Sequence, residues 1–167
     1  MKLQQNRLKT FLLMAVVLSV AGFHSVAQAA IVVNLEVNAS QDQLVATTRG
    51  NCSQNNTHGC IQMSGNQVIN FNMGNFTCAS GDRWALSQVI LGNAKNSSGN
   101  ISADAVRDFN ANQSSGVATP ETQNANHIGV RNKNLSAYTI WYTVTATCDG
   151  ATIKLDPRIL NDGSGVP

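Results

Sequence analysis

Ala137-Tyr138-Thr139-Ile140-Trp141-Tyr142-Thr143-Val144-Thr145-Ala146-Thr147-Cys148 is the stretch that decides the fold of this chain. Its even-numbered residues are apolar or aromatic, and its odd-numbered residues are mostly threonines. Because successive side chains of a strand point to opposite faces, this alternation predicts a long β-strand with one buried face. β-Branched and aromatic residues also favour such a pleated, half-covered surface.

A return strand is predicted directly after this stretch. Asp149-Gly150 is a typical two-residue hairpin turn, and the apolar pattern resumes at Ala151–Leu155. Pro157 follows, and proline cannot donate a backbone hydrogen bond. We therefore expect the pairing beyond Leu155 to loosen or to shift to a sheet edge.

Alternating patterns predict further strands upstream. The clearest are Ile31–Val37 and Gln67–Met73, and shorter or less regular ones cover Gln43–Thr48 and Trp84–Leu91. Gly-Asn pairs that mark turns separate several of these segments. Short strands with frequent turns predict an all-β sandwich or barrel.

The segment from Asn93 to Asn126 departs from the strand pattern. Within it, Ile101–Phe109 predicts a short helix, with Ser102 as the N-cap and Asp104 in the first turn. Ile101 and Val106 occupy the positions of a hydrophobic staple. We expect the flanks, rich in Asn, Ser and Gly, to form a mobile loop that is structural or disordered rather than functional.

The N-terminus has the pattern of a secretory signal peptide. Lys2, Arg7 and Lys9 precede a short apolar run, and Ala27-Gln28-Ala29 fits the small-x-small cleavage pattern. We predict a signal peptide over 1–30, a single β-sandwich domain over 31–167, and no membrane insertion after cleavage. The expected location is periplasmic or secreted.

Charge excludes some classes of partner. The whole chain has 11 Lys+Arg and 9 Asp+Glu, a formal charge of +2. Removal of the three leader cations leaves eight basic and nine acidic residues, a formal charge of −1. Such a domain lacks the electrostatic footprint of a nucleic-acid-binding protein.

Four cysteines lie in the mature part, and in an exported chain an even number predicts disulfides. Three pairings are possible, and we favour Cys52–Cys60 with Cys78–Cys148. A zinc site formed by Cys52, His58, Cys60 and Cys78 is the alternative, but its spacing matches no usual zinc motif. We therefore predict no metal and no cofactor.

No sequence motif of a hydrolase, nucleotide-binding or zinc-protease site occurs in the chain, and the acidic residues are scattered. We therefore predict a protein without catalytic residues. Of the two tryptophans, we expect at least one in the core. If its face is exposed, Trp141 with Thr139 and Thr143 forms a binding platform of the kind that sugar or peptide readers use.

The late hairpin resembles that of immunoglobulin-like sandwiches. The tail Leu155-Asp156-Pro157-Arg158-Ile159-Leu160-Asn161 is similar to the C-terminal Asp-Pro-x-Ile-x-Asn stretch of the DP-EP family of small bacterial proteins. That resemblance covers only about the last thirty residues, and Asp162-Gly163 stands where the family has Glu-Pro. It implies an immunoglobulin-like antiparallel β-sandwich, here with one short helix in a long loop, and no catalytic residues.

These observations predict an exported, non-catalytic binding or accessory protein of the bacterial envelope, with a protein or glycan partner. Two alternatives stay open. A fimbrial or surface-assembly subunit would have an incomplete sandwich that depends on a donor strand. A hydrolase or hydrolase inhibitor would need converging carboxylates, or a histidine with a partner, in a site.

Overall fold

The computed structural model describes residues 29–48, 51–52, 58–92 and 101–165, and the predicted signal peptide lies almost wholly outside them. Within these ranges the chain forms ten strands and one helix. In chain order they are β1 Ile31–Val37, β2 Leu44–Ala46, β3 Ile61–Gln62, β4 Gln67–Met73, β5 Ala85–Leu91, α1 Ala103–Phe109, β6 Pro120–Asn124, β7 His127–Asn132, β8 Ala137–Cys148, β9 Ala151–Leu155 and β10 Arg158–Asp162.

The strands form two sheets, which confirms the all-β, sandwich-like architecture. Sheet 1 has the order β2-β1-β4-β7-β6, and sheet 2 has the order β3-β10-β8-β5, with β9 also paired to β8. Two pairs, β1–β4 and β3–β10, are parallel, so the expectation of a purely antiparallel sandwich is wrong. The reason is connectivity: between β1 and β4 the chain crosses to sheet 2 to form β3, and it then returns to sheet 1 running in the direction of β1.

The core lies between the sheets, on the faces that alternation predicted. In β8 the inward residues from Ile140 to Cys148 are buried, and in β4 Ile69 and Phe71 are buried. Phe71 and Tyr142 join the sheets at their centre, with ring centroids 5.4 Å apart. The Tyr142 hydroxyl donates a hydrogen bond to the Gly59 carbonyl at 2.6 Å, so this polar group is satisfied inside the core.

The predicted hairpin is confirmed at its turn, where Asp149 and Gly150 both have positive φ. The strand is interrupted at Asp156-Pro157, but β10 continues to pair with β8 in the register of β9. The expected shift to an edge is wrong, because β10 lies between β8 and β3. Proline loses only its own N–H, and the Pro157 carbonyl still accepts a hydrogen bond from the Tyr142 amide at 2.9 Å.

The helix α1 begins as predicted, because the Ser102 side chain accepts a hydrogen bond from the Ala105 amide. The residues after the helix are ordered, unlike the mobile flank that the composition suggested; residues 93–100 lie outside the described ranges. They follow the outer edge of β5: Leu91 donates to Gly116, Ala118 to Val89, and Leu86 to Ala125, at 2.7–3.0 Å. This segment therefore covers a sheet edge that would otherwise present free backbone groups.

Both predicted disulfides are confirmed. Cys52 pairs with Cys60 and Cys78 with Cys148, with Cα–Cα distances of 5.8 and 6.3 Å. The second closes a loop of 70 residues, from the β4–β5 connection to the end of β8. Since all four sulfur atoms are in disulfides, no thiolate is left for the alternative zinc site. Disulfides of this kind form in oxidising compartments outside the cytoplasm.

Candidate binding groove

The two tryptophans have opposite environments. Trp84 is 2% exposed and belongs to the core, while Trp141 points outward from the middle of β8 and is 44% exposed. Trp141 lies directly across from Arg158 of β10 on the same face. The expectation of one core tryptophan is confirmed, and the second presents an indole to solvent.

Of the three residues predicted for the platform, only two are accessible. Thr139 is exposed, but Thr143 is 6% exposed. The neighbours of Thr143 on this face are Ile90, its partner on β5, and Trp141, two residues before it. The sequence prediction that Thr143 is part of the platform is therefore wrong.

The accessible side of Trp141 opens into a groove at the side of the sandwich. Here the edge strand β2 of sheet 1 approaches β9 of sheet 2. The groove has a volume of about 450 Å³. We call it the Trp141 groove, and it is lined by Gln43, His58, Trp141, Leu155, Asp156, Pro157 and Arg158.

The groove combines one apolar surface with several planar polar groups. Leu155, Pro157 and the indole of Trp141 provide apolar contact. Nδ1 of His58 lies 2.8 Å from the Ala46 carbonyl oxygen, an acceptor, so Nδ1 carries the proton and Nε2 is left as an acceptor. Asp156 contributes a carboxylate and Arg158 a guanidinium, so these two charges cancel.

Sequence reasoning missed most of this groove. Gln43 and His58 come from another part of the chain, and only tertiary packing brings them to the hairpin. The Asp156-Pro157 break was visible in the sequence, but we interpreted it only as an interruption of pairing.

A second cavity, of about 480 Å³, lies at the end of the sandwich against the Cys78–Cys148 disulfide. Its remaining lining residues are Trp84 and small or polar residues of three turns: Ala39, Ser40, Gln41, Ala79, Ser80, Asp149 and Ala151. Near it, hydrogen bonds from Asn38 and Ser40 lower the pKa of Asp42. Trp84 Nε1 is buried and has no hydrogen-bond partner. Apart from Trp84 and the disulfide, the cavity offers a ligand only small or polar side chains.

A buried carboxylate lies outside both cavities. Asp108 of α1 is 1% exposed, and one of its oxygens accepts a hydrogen bond from the Tyr138 hydroxyl at 3.1 Å. Burial, reinforced by the charge of Asp108, raises the pKa of Tyr138 far above its ordinary value. Arg107 lies 3.6 Å from the other oxygen of Asp108. This cluster attaches the helix to β8, and its contacts are those of a structural anchor.

No known protein-family model matches the chain, and no curated protein is detectably similar to it in sequence. Among the described residues, no helix has the length and apolar character needed to cross a membrane.

Proposed function

We propose that this chain is an exported binding or accessory protein of the bacterial envelope and that the Trp141 groove is its ligand site. The observation that carries the proposal is the 44% exposed indole of Trp141 in a groove of about 450 Å³. Leaving a large aromatic side chain in water forgoes part of its burial energy, and exposed aromatics are enriched where a partner covers them.

We further propose that the ligand is a neutral glycan. A sugar ring can lie against an indole while its hydroxyls bond to planar polar side chains at the rim, as offered here by Gln43, His58 and Asp156. The charges of Asp156 and Arg158 offset each other, which favours a neutral ligand over a polyanion. A protein partner is the other expected class, and the experiment below separates the two.

We propose that the sandwich is immunoglobulin-like, as the resemblance of the tail to the DP-EP family implies. The order β4-β7-β6 in one sheet and β5-β8-β10 in the other supports this, since it corresponds to strands B-E-D and C-F-G of an immunoglobulin domain. The parallel pairing of β1 with β4 departs from that pattern, because strand A of such domains runs antiparallel to B.

The alternative of a surface-assembly subunit is less well supported. Such a subunit needs a donor strand where its own last strand is missing. Here the last strand, β10, pairs with β8 on one side and β3 on the other. A monomer by light scattering agrees with the binding proposal, and chaperone-dependent polymers would favour the alternative.

Tryptophan fluorescence tests the ligand site, because Trp84 is buried and Trp141 reports on the groove. We expect titration with neutral oligosaccharides to change the emission saturably. Trp141→Ala should weaken binding at least tenfold by calorimetry. Val32→Ala is the matched control, since Val32 is equally exposed, at 44%, but lies on the other sheet. Equal affinity of W141A and wild type would contradict the proposal.

Affinity capture from envelope extracts tests the class of ligand. If the mature domain is retained on glycan, and W141A is not, the glycan proposal stands. If a protein is captured instead in a manner that depends on Trp141, the groove remains the binding site but its ligand is not a glycan.

A further inference from the structure

Three polar side chains form a continuous hydrogen-bonded line on the outer face of sheet 1, away from the Trp141 groove. Thr122 Oγ1 lies 2.8 Å from His127 Nε2, and His127 Nδ1 lies 2.7 Å from Asn72 Oδ1. The three residues come from β6, β7 and β4, which are neighbours in the sheet. We call this line the Thr122–His127–Asn72 relay.

The chemistry of Asn72 and Thr122 determines which atom donates in each hydrogen bond of the relay. The Asn72 carbonyl oxygen can only accept a hydrogen bond, so the proton of a neutral imidazole lies on Nδ1. Nε2 is then an acceptor, and the Thr122 hydroxyl donates to it. A hydroxyl bonded to an imidazole whose other nitrogen is held by an amide or carboxylate is the arrangement that activates an oxygen nucleophile.

Gly129 makes this arrangement possible. It lies on β7 directly opposite Thr122 of β6, and His127 lies directly opposite Asn72 of β4. A Cβ at position 129 would be 2.5 Å from Thr122 Oγ1, 2.9 Å from Asn70 Oδ1 and 3.3 Å from His127 Nε2. Any other residue at this position would therefore require the Thr122 and Asn70 side chains to move.

We propose that the relay is an acyl-transfer site that hydrolyses carboxylic esters, with Thr122 as the nucleophile and His127 as the general base. Asn72 is a positioning residue that holds the imidazole in the required tautomer. This inference goes beyond the binding function proposed above, and it departs from the expectation of a protein without catalytic residues. It rests on the geometry of the relay and is independent of the Trp141 groove.

The reaction balances with water as the only co-reactant. Thr122 Oγ1 bonds to the ester carbonyl carbon while its proton moves to His127 Nε2. The carbon–oxygen bond to the alcohol then breaks, and the alcohol leaves with that proton. Water attacks the acyl-threonine, passing one proton to Nε2. The acid departs and Thr122 recovers its hydrogen from the imidazole.

The exposure of Thr122 and His127 determines which esters can reach the relay. Thr122 is exposed and His127 half-buried on an open sheet face, and neither residue lines the cavities described above. Because an open face encloses no part of a substrate, esters on the surface of a larger molecule can reach Thr122 as well as small esters in solution.

Ester hydrolysis with p-nitrophenyl acetate tests the proposal on the mature protein. We expect His127→Gln and Thr122→Ala each to lower the rate at least about 100-fold, the lower range for general base catalysis. Thr152→Ala is the matched control, because Thr152 is an exposed strand threonine on the other sheet. Mass spectrometry should find an acetyl or fluorophosphonate adduct on Thr122 in the wild type and none in T122A.

Two further measurements distinguish catalysis from a structural role. Asn72→Asp places a carboxylate next to Nδ1, so it should raise the rate and shift the acidic limb of the pH–rate profile to higher pH. ¹⁵N NMR of the imidazole should find the proton on Nδ1 in the wild type. A merely structural hydrogen bond predicts no gain in rate from N72D.

The proposal is overturned if T122A hydrolyses the ester as fast as the wild type, or if the imidazole proton lies on Nε2. Failure of H127Q to fold does not block the test, because T122A changes an exposed side chain and should keep the wild-type melting temperature. Loss of hydrolysis in T122A with glycan binding intact would separate this site from the Trp141 groove.

Discussion

Replacing Tyr142 by phenylalanine removes one hydrogen bond from the centre of the sandwich and leaves the ring in place. The hydroxyl donates to the Gly59 carbonyl at 2.6 Å, and both residues are buried. The contact between the rings of Phe71 and residue 142 is retained, so no large cavity forms. What remains is a buried carbonyl oxygen without its partner.

The magnitude follows from that unpaired carbonyl. Leaving a buried acceptor unsatisfied costs about 1–3 kcal/mol. For a domain of this size, such a loss lowers the melting temperature by roughly 3–12 °C. Gly59 adjoins His58 of the Trp141 groove, so Tyr142→Phe should also weaken ligand binding there.

Urea unfolding followed by circular dichroism is the appropriate assay. The midpoint should fall while the slope with denaturant stays unchanged, because the surface exposed on unfolding is the same. Thr152→Ala, an exposed control, should change the free energy of unfolding by less than about 0.5 kcal/mol. A loss below about 0.5 kcal/mol in Tyr142→Phe would refute the reasoning, since the Gly59 carbonyl would then have another partner.

Three other predictions concern stability. Burial raises the folded-state pKa of Tyr142 and Tyr138, so the stability that both contribute is fully present below the unfolded-state pKa of about 10. The free energy of unfolding should therefore fall as the pH rises above about 10. Tyr142→Phe should make this decrease smaller. In the chain-entropy model, removing the Cys78–Cys148 disulfide costs about 4.4 kcal/mol and removing Cys52–Cys60 about 2.5 kcal/mol, from loops of 70 and 8 residues. In urea unfolding, serine variants of the first pair should therefore lose more stability than serine variants of the second, and the reverse order would contradict the model. Trp84→Phe removes an unpartnered buried N–H, which offsets part of the packing lost with the smaller ring, so it should cost less than the 3–5 kcal/mol typical of truncating a buried tryptophan to alanine. A loss of about 3 kcal/mol or more by thermal melting would contradict this.

The strands that the sequence predicted are those with a strong apolar alternation. β1, β4, β8 and β9 have the predicted bounds. β6 was missed because all five of its residues are exposed, so it carries no apolar pattern. β10 was missed because Pro157 predicts that the pairing loosens or shifts to an edge, whereas the loss of one donor leaves the register of the hairpin intact.

The candidate sites were less predictable than the strands. Trp141 was found from its position on the outward face of β8, but its partners in the groove were not. His127 and Asn72 are 55 residues apart in sequence, and they meet only because β4 and β7 pair in sheet 1. No local sequence pattern indicates that these two side chains are in contact.

The sequence by itself determined the β8–β9 hairpin, its inward face and the start of the helix at Ser102, because these depend on residues within a few positions of one another. Tertiary structure alone decided that Trp141 is exposed while Thr143 is buried, and that Gly129 lies beside Thr122 and His127. Alternation fixes which face of a strand a side chain takes. The neighbours on that face are set by strand pairing and by the packing of the two sheets, which involve residues far apart in the chain.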